Sequence, residues 1–101
     1  MAKKPEARLQ DKCLGYAKEL KKQGKRIIAI NQHGGAFSSR GVPDLLLCIR
    51  GIFMAVELKI APNEPTKLQE HYIEQIREAG GVAVVIYTFE EFKDLVDYAV
   101  H

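Results

Sequence analysis

Two apolar segments separated by only two residues constrain this chain more than any other feature: residues 44–49 (DLLLCI) and 52–60 (IFMAVELKI) flank Arg50 and Gly51. Strand-forming runs joined by a two-residue gap that holds a glycine read as a tight β-hairpin. With 50 and 51 as the turn, Ile49 faces Ile52, and every pair across the ladder has residue numbers that sum to 101. Asp44 then lies opposite Glu57. Directly opposed residues of an antiparallel pair project from one face with Cβ atoms about 4.5–5.5 Å apart, so two carboxylates are pressed together. Lys59, two residues beyond Glu57, shares their face, which otherwise carries Phe53 and Ala55.

The rest of the chain arranges itself around that hairpin. Pro5 suits the first turn of a helix over 5–23, with Leu9, Cys13, Tyr16, Ala17 and Leu20 as its apolar stripe and Gly24 after it. Residues 26–31 (RIIAIN) form a short strand, and 31–43 a polar, glycine-containing connection of a length usually kept for function. Pro62 and Pro65 break the chain before a helix over 65–79, whose stripe is Leu68, Tyr72, Ile73, Ile76 and Ala79. Residues 82–87 (VAVVIY) read as a strand buried on both faces. Thr88 and Glu91 have the spacing of a capping box, opening a last helix with Phe89, Phe92, Leu95, Val96 and Ala99 inward. The order αβββαβα predicts an α/β domain with helices flanking one central mixed four-stranded sheet.

At 101 residues, 47% of them hydrophobic, the chain has room for one core and therefore one domain, and its small size favours a partner subunit. No apolar run reaches the roughly 20 residues of a membrane span, and the N-terminal MAKKPEARLQ lacks a signal-peptide core; a cytoplasmic protein with no membrane partner is expected. Cys13 and Cys48 lie in apolar stretches without a paired spacing and read as reduced core residues. Residues 1–26 carry nine Lys/Arg against three acids, whereas 27–101 carry six against ten. This asymmetry suits a basic face that meets nucleic-acid phosphate, or equally a solvated lysine-rich helix.

Opposed like charges on a sheet are destabilising, and a half-buried carboxylate pair must share a proton or be neutralised by a cation. A hard divalent ion answers both, since Mg²⁺ is typically held by one or two carboxylates plus water and phosphate oxygens. Lys59 then orients or deprotonates the attacking water, or stabilises charge on the phosphate. The plainer reading makes Asp44 a turn residue after Pro43, and Glu57 and Lys59 a solvent-facing pair. Glu6 extends the stripe of the first helix toward its N-terminal end, but an acid there also complements the helix dipole. Gln69 begins the inward face of its helix and either holds a water or phosphate or caps its own helix. In the long connection, Arg40, next to Ser38 and Ser39, is placed to hold phosphate; His33 is a weaker candidate for a DNA contact or base.

G-V-P-D at 41–44, E-L-K at 57–59 and a glutamine early in the following helix resemble the PD-(D/E)xK nucleases, and most closely the virus-type replication-repair nuclease domain, VRR-NUC. The likeness extends from a first helix opening with P-E to a strand led by Gly80 and Gly81. It implies a restriction-endonuclease-like core and Mg²⁺- or Mn²⁺-dependent hydrolysis of DNA phosphodiesters. In that pattern Asp44, Glu57 and the Leu58 carbonyl ligand the metal, Lys59 serves the attacking water, and Glu6 and Gln69 match the family's first-helix acid and motif glutamine. Lys3, Lys4, Arg8, Arg40, Ser39 and Lys67 fall where DNA contacts are expected. Free-standing members of the family, often phage-encoded, look like homodimers that cut branched DNA such as Holliday junctions in replication, recombination or repair. The competing class is a DNA-binding or assembly module that keeps the fold without cutting.

Overall fold

Arg50 and Gly51 both take positive φ, 51° and 83°, as a type I′ hairpin turn requires. The computed structural model describes residues 3–32 and 40–101. In it β2 (Leu45–Ile49) and β3 (Ile52–Leu58) pair antiparallel from Ile49↔Ile52 to Leu45↔Val56, the register that the two-residue turn dictates. Before them come α1 (Pro5–Lys22) and β1 (Ile27–Asn31), and after them α2 (Lys67–Glu78), β4 (Val82–Ile86) and α3 (Phe89–Val100). The sheet order is β1-β2-β3-β4; only β3 and β4 run parallel, joined by the α2 crossover. This is the expected α/β architecture, a mixed four-stranded sheet flanked by helices.

Strand alternation splits the sheet into two unlike faces. Leu45, Leu47, Ile49, Met54, Val56 and Leu58 turn toward α1 and α3, where they meet Leu9, Cys13, Ala17, Phe92 and Val96 in the main core. On the other face Ala55 and Ala83 pack under Ile73 of α2. A side-chain hydrogen bond from the Tyr16 hydroxyl to Asp97 ties α1 to α3, and the Tyr16 and Phe89 rings meet edge to face at 5.6 Å.

Three expectations are corrected. Cys48 is exposed rather than part of the core: it sits on the α2 face, but α2 reaches only β3 and β4. The same gap leaves Ile28, Ile30 and Phe53 each about half exposed. The α2 stripe is narrower than its periodicity suggests, with Ile73 buried, Tyr72 and Ile76 half-buried, and Leu68 and Ala79 exposed. Finally, β4 is an edge strand, so Val82, Val84 and Val85 are only partly covered.

Gly41 carries the loop before β2 past the start of α2. Its φ is +82°, and a Cβ there would sit 2.6 Å from Leu68 Cγ and 3.1 Å from the Leu68 backbone. Gly41→Ala therefore combines about 1–2 kcal/mol of backbone strain with a clash that must displace the loop or the helix. At about 4–8 °C per kcal/mol for a domain of this size, a fall in Tm of roughly 5–15 °C is expected. A thermal melt within about 2 °C of wild type contradicts this account of the turn.

Candidate active site

One end of the sheet gathers carboxylates from three separate elements. Glu57, at the penultimate position of β3, points to the α2 face and is only 1% exposed. Asp44 continues the hairpin register one step beyond Leu45↔Val56, so it lies opposite Glu57. Its Oδ2 accepts the Leu58 N–H at 2.8 Å, and its backbone carbonyl accepts the Gln32 N–H at 2.9 Å. Glu6 arrives from the first turn of α1. One oxygen from each of Glu6, Asp44 and Glu57 lies within 4.8 Å of the others.

Gln69 caps its own helix, one of the two roles that the sequence leaves open, and it also reaches Glu57, a partner that neither reading named. Its Oε1 accepts the Thr66 N–H at 2.8 Å and its own N–H donates to Thr66 Oγ1 at 3.2 Å, which is a complete capping box for α2. The remaining amide hydrogens face the site, where Nε2 donates to Glu57 Oε2 at 3.0 Å. Glu57 Oε1 is buried with no hydrogen-bond partner among the described residues. Two residues that sequence reasoning missed hold the frame from behind: the side-chain amide of Gln10, 6% exposed, donates to Asn31 Oδ1 at 2.6 Å. That bond pins α1 to β1 one helical turn beyond Glu6. Gln10 lies between Leu9 and Cys13 on the buried stripe, and a polar residue in that place is the signal that was available.

The electrostatics follow from this packing. Burial, then the negative charge of Asp44, push the Glu57 carboxyl up to about 8; Glu6 adds to the rise and the Lys59 ammonium opposes it. Lys59 is half-buried just past β3, where its N–H donates to the Ile86 carbonyl at 3.0 Å. A buried carboxylate oxygen without a donor costs free energy unless a proton or a cation meets it. Three hard oxygen donors converging from separate elements fit a divalent cation.

The remaining sequence candidates spread more widely. Arg40 and Lys67 are exposed, at the loop before β2 and the first position of α2. Lys3 is exposed and paired with Asp11. Lys4 lines a hollow of about 260 Å³ with Pro5, Glu6, Ile60 and Asn63. Arg8 instead lines a hollow with Lys12, Phe89 and Glu90 on the α3 side. Ser39, like His33 and Ser38, lies outside the described residues. Among the described residues no helix is long and apolar enough to cross a membrane.

Residues 15–96 match the family described as archaeal Holliday junction resolvase (Hjc). The chain belongs to the Hjc family. Its members are nucleases related to the PD-(D/E)xK enzymes, and the matched span holds Asp44, Glu57, Lys59 and Gln69 and leaves Glu6 outside. A solved structure described as a "VRR_NUC domain" superposes on the Hjc-family chain with a TM-score of 0.71 at 24% identity, covering 92% of this chain and 95% of that one. A second, described as a "VRR_NUC domain protein", gives 0.65 at 16% identity, covering 99% and 91%. The expected VRR-NUC likeness is thus present as a shared fold. None of the curated proteins compared by sequence matches the Hjc-family chain.

Proposed function

We propose that the protein is a divalent-metal-dependent endonuclease that hydrolyses phosphodiester bonds in branched DNA, such as four-way junctions, during replication, recombination or repair. The observation that carries this reading is the buried Glu57 carboxylate, with one oxygen that has no hydrogen-bond partner among the described residues and two further carboxylates within 4.8 Å of it. Asp44, Glu57 and Glu6, with the Leu58 carbonyl, would hold Mg²⁺ or Mn²⁺. A cation there supplies Lewis-acid polarisation of the phosphodiester and makes water easier to deprotonate. Gln69 holds Glu57 Oε2, which leaves Oε1 for the cation. The Leu58 N–H fixes the Asp44 carboxylate in the same way. Lys59 orients the attacking water and offsets the charge that develops on the phosphate. Arg40, Ser39, Lys67, Lys3 and Lys4 contact the DNA backbone near the acid cluster, with Arg8 farther round on the α3 side.

We further read the working form as a homodimer. Ile30 and Phe53, each about half exposed, lie on a sheet surface that no helix among the described residues covers.

The test is incubation of four-way junctions, flaps, duplex and single strands with Mg²⁺, Mn²⁺ or EDTA, with light scattering on the same sample. Junction cleavage with either metal, none in EDTA, and a particle of twice the chain mass are expected. Binding without cleavage under every metal condition would assign the chain to the non-cleaving class instead.

A further inference from the structure

The hairpin turn breaks a local rule at its first position. Type I′ turns favour Asn, Asp or Gly where φ is positive, because a branched or long side chain crowds the backbone there. Here that position is Arg50, at φ 51°, the one non-glycine residue with positive φ among those described. Departures from local preference concentrate at functional positions. The Arg50 N–H donates to the Arg26 carbonyl at 2.9 Å, which fastens the turn to the residue leading into β1.

Arg50 does not stand alone. With Lys21 and Arg26 it lines a hollow of about 350 Å³, whose other walls are Ile27, Ile28, Cys48 and Gly51. Among the described residues none of the three cationic side chains has an ion-pair or hydrogen-bond partner. Three like charges brought to one concavity repel one another, the mirror image of the carboxylate problem at the opposite end of the sheet, and an anion relieves it.

We propose that Lys21, Arg26 and Arg50 form a second phosphodiester-binding site, which grips the backbone of a DNA arm at a distance from the bond that is cut. This rests on the nuclease reading above. The spacing favours DNA over a free phosphate. Fifteen residues of α1 separate Glu6 from Lys21, about 22 Å at a helical rise of 1.5 Å per residue. Six strand steps separate Asp44 from Arg50, about 20 Å by the same kind of reckoning. One DNA strand carries a phosphate every 3.4 Å or so, so an arm entering the acid cluster needs about six nucleotides to reach the basic hollow. Lys18, exposed on α1 between the two ends and lining a hollow together with Lys21, would accompany it.

The decisive variant is Arg50→Asn, which restores the residue type the turn prefers and so leaves folding intact. We expect its Tm to equal or exceed that of wild type and its Mg²⁺-induced rise in Tm to be unchanged. Its affinity for a junction with 12-base-pair arms is expected to fall roughly 5- to 10-fold, with the slope of log K against log salt shallower by about 0.9. The triple variant with Lys21→Ala and Arg26→Ala is expected to lose up to about 2.7 of that slope. A junction with four-base-pair arms, too short to reach the hollow, is expected to bind all variants alike. Unchanged affinity and slope for long-armed DNA overturn the proposal while leaving the nuclease reading standing. Loss that is equal for short and long arms overturns it too, since the contact would then not be remote. Protection of wild type by millimolar inorganic phosphate, without any change in DNA affinity on substitution, reassigns the hollow to a small anion. Failure of the wild-type protein to bind or cut any DNA defeats both readings.

Discussion

Replacing Asp44 with Asn is expected to lower junction cleavage by about 10³-fold or more while leaving junction affinity within about twofold. The two side chains have the same shape, and the amide oxygen of Asn still accepts the Leu58 N–H that holds Asp44 at 2.8 Å. What disappears is one anionic ligand from the three carboxyl groups that meet within 4.8 Å. Single-turnover cleavage and equilibrium binding, both in Mg²⁺, separate the two effects. Raising Mn²⁺ is expected to recover part of the lost rate, because a softer ion tolerates the weaker ligand set better. Cleavage by Asp44→Asn within tenfold of wild type would remove the carboxylate cluster from the chemistry.

Glu57→Gln is expected to do something that few active-site substitutions do, and stabilise the metal-free protein. Burial and the Asp44 charge hold the Glu57 carboxyl up to about 8, against 4.5 for an unhindered glutamate. The sign of the pH effect follows. Below 4.5 the group is protonated in both folded and unfolded chains and carries no penalty. Between 4.5 and about 8 only the unfolded chain ionises, so stability is lost progressively as pH rises. Glutamine cannot ionise, so the variant escapes this loss. In EDTA at pH 8.5 its advantage is on the order of 5 kcal/mol, or roughly 20 °C or more in Tm; near pH 4.5 it shrinks toward zero. In saturating Mg²⁺ the wild type is expected to recover most of the difference, because ligand that binds only the folded state stabilises it by mass action. A Tm gap that is absent, or that narrows as pH rises, would show that Glu57 ionises as freely in the fold as out of it.

The hairpin was legible because its register depends on two adjacent residues alone: once Arg50 and Gly51 form the turn, Asp44 and Glu57 have no other partners. The same local logic carried the element order and the Thr88 cap. What escaped was coverage. Nothing in the periodicity of residues 67–78 says that this helix stops short of β1 and β2, and that shortfall is what exposes Cys48 and Phe53. The edge position of β4 escaped for a related reason, since VAVVI reads alike in the middle of a sheet and at its border. The Gln10–Asn31 bond joins residues 21 apart in sequence, and no short-range pattern announces it. Gln69 was half legible: its cap was one of the readings that its position allowed, but its bond to Glu57 depends on a three-dimensional placement that lets one amide do both.

That shared amide couples the first turn of α2 to the chemistry. Helix ends fray on the timescale of local opening, and here each opening of the Thr66 cap also releases the oxygen-bearing arm of Glu57. Turnover then inherits the melting behaviour of a single helical turn. Cleavage should decline with warming before global unfolding begins, and the loss should reverse on cooling. A thermostable relative would gain working range by strengthening one cap rather than by enlarging its core.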